Sequence, residues 1–84
     1  MLECGKMIYL ARPMYPKEAK KARIEGTVTL DVTITKTGKV SEIHVVSGDP
    51  MLVPTTVNAV KQWRFVACPV EQKRTIPVSF SLNQ

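Results

Sequence analysis

The clearest pattern in the chain is a strict alternation of apolar and polar residues over residues 27–35. Its apolar positions recur at every second residue: Val28, Leu30, Val32 and Ile34. A period of two is typical of a β-strand with one buried face and one solvated face. Residues 36–39 follow as a short turn, in which Gly38 can take a positive φ. We therefore predict a first hairpin whose return strand covers residues 40–47.

The other two strands are less regular in their pattern. In the return strand Ile43 and Val45 are predicted to point inward, while Val40 is out of phase with them, which indicates a bulge or an early turn residue. The last strand is predicted over residues 75–82, with these inward residues: Ile76, Val78, Phe80 and Leu82. Residues 66–74 before it are predicted to form a loop.

Two short helices are predicted on either side of the hairpin. The first covers residues 16–23, because Pro16 suits the first helical position and Ala19 and Ala22 form a small inner face. The second covers residues 54–64, with apolar residues at helical spacing: Val53, Val57, Val60 and Trp63. Trp63 is the largest apolar side chain and is expected to anchor this helix on the sheet.

The order of the elements predicts an α+β fold with the topology α-β-β-α-β. If the last strand pairs with the first, the sheet has three antiparallel strands in the order 2-1-3, and the two helices pack on one face. Residues 1–12 are predicted to be a mobile N-terminal segment or a short strand, the strand being at residues 7–10. Residues 13–84 form the domain.

This strand order places the last strand at an edge of the sheet. Pro77 supports that placement, because proline cannot donate to a ladder and is confined to edges, strand starts and bulges. The residues from Thr75 to Leu82 carry no charge, although charge is a common protection of exposed edges. An edge of this kind is open to strand addition by a peptide. The alternative is that Pro77 and the nearby C-terminus protect an edge that has no function.

The composition argues against several classes of function. The chain has 84 residues and a net charge of +5, but no nucleic-acid recognition motif accompanies its Lys and Arg clusters, which favours a solvated basic surface over nucleic-acid binding. No window reaches the roughly 18–20 consecutive apolar residues of a membrane span. His44 is the only histidine, on the outward side of a strand, and we expect no enzyme, no cofactor and no metal site.

The two cysteines, Cys4 and Cys68, are too few for a zinc site with a single histidine. They can pair as a disulfide in an oxidising compartment, which would stabilise the fold by about 4 kcal/mol in the chain-entropy model. The alternative is one free thiol near the terminus and one packed thiol.

Five short motifs in order give the chain a resemblance to a known family. They are Tyr15-Pro16 with residues 22–26 (ARIEG), residues 28–34 with Gly38-Lys39-Val40, residues 45–50 (VVSGDP), residues 59–65 (AVKQWRF) and residues 76–80 (IPVSF). Over residues 13–82 the chain resembles the C-terminal domain of TonB energy transducers. The proline shortly after the WRF segment is shifted, at Pro69, and the glycine that often follows it is absent.

The resemblance implies a periplasmic domain whose parent protein is anchored in the inner membrane and coupled there to a motor complex through an N-terminal region. It implies capture of the TonB box, an extended peptide of an outer-membrane transporter, for energised import such as siderophore uptake. The peptide adds to the closing strand, and Arg12 takes the place of a glutamine that touches the box in some transducers. The implied partner-binding residues are Arg12, Thr75, Ile76, Val78, Ser79, Phe80, Ser81 and Leu82.

Two other functions use the same features. The open edge can pair with a second copy, giving a homodimer or an envelope assembly module. The domain can also be the TonB-like tail of another envelope protein, such as a sensor fused to a metallopeptidase. None of these functions requires nucleic acid as a partner.

Overall fold

The computed structural model describes residues 4–82. Within them the elements are β1 Met7–Tyr9, α1 Lys17–Lys21, β2 Gly26–Ile34, β3 Val40–Ser47, α2 Val53–Val60, β4 Arg64–Phe65 and β5 Gln72–Phe80. Residues 1–3 of the predicted N-terminal segment, and residues 83–84 of the predicted domain, lie outside the described part. No helix within residues 4–82 is both long enough and apolar enough to cross a membrane.

β2 is the central strand of a three-stranded antiparallel sheet in the order β3-β2-β5. The pairing of β2 with β5 is continuous over nine residue pairs. The pairing of β2 with β3 contains two register shifts, which leave Ser41 and Val46 without an opposite residue. The predicted α+β class and the predicted strand order 2-1-3 are both confirmed.

The core lies between this sheet and the segments that cover one of its faces. The apolar residues of β2 are at most 2% exposed: Val28, Leu30, Val32 and Ile34. They share the core with Leu52, Val60, Trp63, Phe65 and Phe80. Burying an aliphatic side chain of this size contributes roughly 1.5–3 kcal/mol, so the alternation in β2 is a principal source of the fold's stability.

α1 is shorter than predicted and ends at Lys21. Ala19 is fully buried as expected, but Ala22 is exposed, so its predicted place on the inner face is wrong. The reason is that Arg23 takes a left-handed conformation with φ 55°, and the Ile24 amide then donates to the Ala19 carbonyl at 2.9 Å. This geometry satisfies the last carbonyls of a helix and ends it.

α2 ends at Val60, and not at residue 64 as predicted. The amide of Phe65 donates to the carbonyl of Gly38 at 2.8 Å, so Arg64–Phe65 pair as a strand instead of continuing the helix. Trp63 is 5% exposed and confirms its expected role as an anchor, although it lies beyond the helix. The helix buries Thr56, Ala59 and Val60.

The predictions for the two outer strands are confirmed in part. Val45 is paired opposite Leu30 and so lies on the core side of the sheet, but it is 39% exposed because it lies on an edge strand. Val40 packs against the core next to the other shift, as its phase indicated. β5 runs from Gln72 to Phe80, so it begins within the predicted loop, and residues 81–82 follow the strand.

The leading segment contains a short strand, which was one of its two predicted forms. β1 pairs with β4, and the Val66 amide donates to the Lys6 carbonyl at 2.7 Å. All three side chains of β1 are exposed. The segment is therefore held by backbone pairing and by its ends, and its own apolar burial contributes little.

A disulfide joins the start of the leading segment to the loop before β5. Cys4 and Cys68 are paired, with their Cα atoms 5.0 Å apart. The Gln72 amide nitrogen donates to the Cys68 sulfur at 2.8 Å, and the Arg74 guanidinium donates to the Gly5 carbonyl at 2.7 Å. The disulfide thus fixes residues 4–5 against the first residues of β5.

Candidate functional site

The candidate site is the free side of β5. Among the described residues β5 pairs with β2 alone, so its other side has no strand beside it. The predicted edge position of the last strand is therefore confirmed, although its use is a separate question. The site is built from backbone groups first and side chains second.

The direction of the backbone groups follows from the alternation of the pleat. Along a strand, successive amides and carbonyls point to opposite sides. Just beyond β5, the Leu82 amide donates to a carboxylate oxygen of Glu25 at 2.7 Å, and Glu25 precedes β2. The even-numbered residues of β5 therefore direct their backbone groups towards β2, and the odd-numbered residues direct theirs away from the sheet.

The other strand pair supports the same assignment. The Thr35 amide donates to the Lys39 carbonyl at 2.7 Å, so the odd-numbered residues at this end of β2 face β3 and the even-numbered residues face β5. Pro77 is paired opposite Thr29 without a break in the register. Because proline has no amide hydrogen, it fits there only if its nitrogen points outward. The outward groups thus belong to Lys73, Thr75, Pro77 and Ser79.

Charged side chains are confined to the start of the edge. Lys73 and Arg74 lie near the start of β5, and there is no charged residue between Thr75 and Phe80. Arg74 is committed to the Gly5 carbonyl and lies over the Phe65 ring, 5.2 Å from its centroid. The later half of β5 is therefore a regular edge without the protection by charge that exposed edges usually carry.

A shallow groove of about 290 Å³ lies beside the later half of β5. It is lined by Arg12, Pro13, Tyr15, Val78, Ser79, Phe80 and Ser81. One wall is thus an extended segment and the other is the edge strand. An extended peptide would fit such a groove, with its backbone along the strand and its side chains against both walls.

Hydrogen bonds hold the extended wall in place. The Trp63 indole nitrogen donates to the Ala11 carbonyl at 2.8 Å, and the Thr55 hydroxyl donates to the Met14 carbonyl at 2.7 Å. Pro13 and Pro16 flank this segment and keep it extended, since a residue before proline avoids helical geometry. The wall is a fixed part of the fold.

Tyr15 joins the wall to the strand. Its ring packs edge-to-face on Phe80, with centroids 5.4 Å apart, and its hydroxyl donates to the Ile24 carbonyl. Burial raises the pKa of Tyr15 above the ordinary tyrosine value, and the Glu25 carboxylate raises it further. At neutral pH the phenol therefore stays protonated and keeps its role as a donor.

The predicted partner-binding residues are brought together only in part. Arg12 lies at the groove with Val78, Ser79, Phe80 and Ser81, while Thr75 and Ile76 lie along the strand outside the groove. The side chains of Ile76 and Val78 pack partly into the core, and the Leu82 amide is committed to Glu25. Within β5, the predicted residues whose backbone groups point to the free side are Thr75 and Ser79, and the groups of Lys73 and the Pro77 carbonyl lie on the same side.

Sequence reasoning did not place Pro13 and Tyr15 in the site. Neither residue is among the partner-binding residues that the resemblance implies. The pattern Pro-x-Tyr-Pro before a helix already indicates an extended, rigid segment. What the sequence does not carry is that this segment runs beside the last strand, because that neighbourhood depends on the packing of Trp63 and Tyr15.

A larger concavity of about 680 Å³ lies on the polar face of the sheet. Its lining mixes acidic, basic and hydroxyl side chains: Asp31, Thr33, Glu42, His44, Lys73 and Thr75, with parts of Val32, Ile43 and Arg74. The Thr75 hydroxyl donates to the Asp31 carboxylate at 2.7 Å. Within residues 4–82 no group of three or more His, Cys, Asp and Glu side chains could hold a metal ion.

These features define a small α+β domain whose accessible chemistry is backbone at a sheet edge. The family model described as Gram-negative bacterial TonB protein C-terminal matches residues 11–82, and the chain belongs to that family. The family is one of energy transducers, and its match covers both the groove wall and the edge strand.

Individual relatives agree with the family. The chain is 31% identical over 74 residues to protein TonB of Salmonella typhimurium, covering 86% of this chain and 31% of that protein. It is 38% identical over 78 residues to protein tonB2 of Pseudomonas aeruginosa, covering 84% of this chain and 29% of that protein. This chain therefore spans about a third of the length of these relatives.

A solved structure agrees as well. The solution NMR structure of the Pseudomonas aeruginosa TonB CTD has a TM-score of 0.82 to this chain at 28% sequence identity, covering 94% of this chain and 87% of that one. The arrangement of helices and strands is thus that of a TonB C-terminal domain.

Proposed function

We propose that this domain binds an extended peptide of an outer-membrane transporter, the TonB box, by strand addition to the free side of β5. The observation that carries the proposal is the edge itself: β5 pairs regularly with β2 over nine residues and is uncharged from Thr75 to Phe80. Membership of the TonB family supports a transporter as the partner. The role is one of binding and transduction, with no catalytic step.

Main-chain hydrogen bonds supply much of the affinity in this mechanism. The amides of Thr75 and Ser79 donate to the peptide, and the outward carbonyls accept from it. Each such bond contributes roughly 0.5–1.5 kcal/mol net, and ordering a flexible peptide opposes binding. We therefore expect micromolar-class affinity, which suits a contact that is made and broken repeatedly.

The groove supplies selectivity for side chains. Val78 and Tyr15 present apolar surface, and Arg12 places a cation at the groove. A peptide strand alternates its side chains between two faces, so every second residue of the peptide would contact this groove. Arg12 and the predicted residues of β5 thus keep their proposed roles as partner-binding residues.

The wider context of the domain is also proposed. By analogy with the family, the domain works in the periplasm, and its parent protein is anchored in the inner membrane and driven by a motor complex there. The transported cargo would be imported with energy supplied through the transducer, as in siderophore uptake. The domain boundary at residue 13 remains a prediction, and the leading strand precedes it.

A binding titration followed by NMR tests the proposal. Candidate box peptides are added to the isotopically labelled 84-residue chain, and amide shifts are mapped. We expect the largest shifts at Thr75 and Ser79, with smaller shifts on β3. Shifts confined to β3 or to the polar face of the sheet, or no binding at millimolar peptide, would contradict strand addition to β5.

The same open edge supports self-assembly as a second function. Sedimentation of the chain alone and with a box peptide separates the two functions. A tight dimer that is indifferent to peptide favours assembly, whereas a monomer that binds peptide favours capture. The related proposal of a sensor tail is decided by the gene region that encodes the N-terminal part of the parent protein.

A further inference from the structure

Pro77 lies in the middle of the free side of β5. Its register is fixed by the continuous ladder, in which it is opposite Thr29, and its side chain is exposed on the polar face. Its nitrogen points away from the sheet, as derived above. The outward amides of the edge therefore stop at Thr75 and resume at Ser79, while the outward carbonyl of Pro77 remains available.

The missing amide divides the edge into two short blocks. A strand that pairs along β5 directs one of its carbonyls at Pro77 and finds no donor there. The ring carbon that replaces the hydrogen also occupies the space in which that carbonyl would approach. The carbonyl of the incoming strand that faces Pro77 must therefore remain hydrogen-bonded to water. The incoming strand forms its backbone hydrogen bonds with the parts of β5 on either side of Pro77.

Between Thr75 and Phe80 the described residues show no other protection of this edge. β3, at the opposite side of the sheet, has two register shifts and carries Glu42 and His44, but β5 has no register shift and no charge between Thr75 and Phe80. Exposed regular edges are templates for pairing with copies of the same chain. Pro77 is therefore the feature of this edge that can oppose self-pairing.

We propose that Pro77 makes the edge of β5 select a foreign extended segment over a second copy of β5. The part of this inference that concerns the peptide rests on the proposed function, whereas the part that concerns self-pairing does not. Pro77 acts as a specificity residue through the donor that it withholds.

The selection follows from symmetry. Two copies that pair antiparallel through β5 about a two-fold axis each bring a proline, so every such register that includes residue 77 in both copies loses a donor twice. A peptide without proline at the facing position loses a donor once. The penalty for a second copy is therefore about twice the penalty for a peptide.

Substitution of Pro77 tests the inference. Pro77→Ala restores the amide, and Pro77→Val restores it with a side chain that favours strands. Thr29→Val is the matched control, because it adds apolar surface to the same face of the sheet, directly opposite Pro77, without adding a donor to the edge. Circular dichroism establishes that each full-length variant is folded before binding is measured.

Sedimentation without peptide measures self-association, and titration with a box peptide measures capture. One restored bond is expected to tighten peptide binding by about two- to tenfold, and the doubled effect is expected to tighten dimerisation by about four- to hundredfold. Thr29→Val should strengthen neither dimerisation nor peptide binding by a comparable factor. Protection of the new residue 77 amide from hydrogen exchange in the dimer would locate the contact.

The inference is wrong if both Pro77 variants stay as monomeric as the natural chain, or if Thr29→Val dimerises as well as they do. It is also wrong if restoring the amide favours the peptide more than the dimer. If the natural chain binds no peptide at all, the proposed function fails, but the sedimentation result still decides whether Pro77 opposes self-pairing.

Discussion

The two edges of the sheet differ, although both border the same central strand. β3 pairs with β2 through two register shifts, and most of its residues are exposed. β5 pairs with β2 over nine residues without a shift and has a groove beside it. Bulges twist an edge and interrupt its donors, so β3 is a poor template for another strand, whereas β5 is a regular one.

The comparison also concerns what lies around each edge. The extended wall lies beside the later half of β5, held by the hydrogen bonds from Trp63 and Thr55. Such supporting contacts preorganise a binding edge and reduce the ordering that must accompany binding. Regular backbone and a fixed neighbouring wall together distinguish a binding edge from a protected one.

The largest expected effect comes from removing the disulfide. In the chain-entropy model, replacing Cys4 and Cys68 with serine lowers the free energy of unfolding by about 4 kcal/mol. The amides of Thr75 and Ser79 do not depend on the disulfide, so peptide affinity should be preserved in the folded variant. Denaturant unfolding with and without reductant measures the first effect, and titration measures the second.

If the serine variant is as stable as the natural chain, the two sulfurs are not paired in solution. A parallel loss of peptide binding at a temperature where the variant is folded would show that the disulfide also shapes the edge.

Proline substitution on each edge tests whether β5 and β3 differ in peptide binding. Ser79→Pro removes an outward donor from β5 and adds a ring at the edge, so we expect at least about tenfold weaker peptide binding from the lost bond and the steric clash. Ser41→Pro is the matched change on β3, at a residue that the register shift leaves without an opposite partner. The Ser41→Pro variant should bind the peptide with the affinity of the natural chain, within about twofold.

Equal losses in the two variants would contradict the assignment of the binding edge to β5. NMR spectra of both variants are the control for folding, because a bulge position tolerates proline better than a regular ladder does.

A smaller effect is expected from Tyr15→Phe. The ring keeps its edge-to-face contact with Phe80, while the Ile24 carbonyl loses its donor. A net loss of about 1 kcal/mol in the free energy of unfolding follows for one hydrogen bond. Thermal and denaturant unfolding measure it, and a loss above about 3 kcal/mol would mean that the hydroxyl holds more of the wall than this single bond.

The smallest effect is a dependence on alkaline pH. Burial and then Glu25 raise the pKa of Tyr15 in the folded state, so folding favours the protonated phenol. This contribution to stability is fully present below the ordinary pKa of about 10 and is lost as pH rises through the raised pKa. The difference in stability between the natural chain and Tyr15→Phe should therefore shrink above pH 10, and a growing difference would contradict the direction of the shift.

Much of the fold could be predicted because its signals are local. The alternation of Val28, Leu30, Val32 and Ile34 predicts a half-buried strand from side-chain period alone, and Pro77 marks an edge through its missing donor. The errors arose where tertiary contacts override local pattern. Ala22 lost its inner place when Arg23 ended α1, and the end of α2 was replaced by the pairing of Phe65 with Gly38.

Of the candidate site, only the strand that carries it could be predicted from the sequence. The edge residues from Thr75 to Phe80 were named correctly as part of β5, but the direction of each amide requires the register with β2. The groove requires the neighbourhood of Arg12 and Tyr15 with Val78 and Phe80, which are distant in sequence. No local period encodes such a contact between segments more than sixty residues apart.

The class of fold, the strand order and the family could be inferred from the amino-acid sequence, because periodicity, proline placement and motif spacing are properties of neighbouring residues. Three features required the folded structure: the backbone groups of β5 that remain free, the pairing of Cys4 with Cys68, and the segment that forms the second wall of the groove. The physical reason is that these features depend on long-range packing, in which the core and the sheet register select one of several arrangements that the local pattern allows.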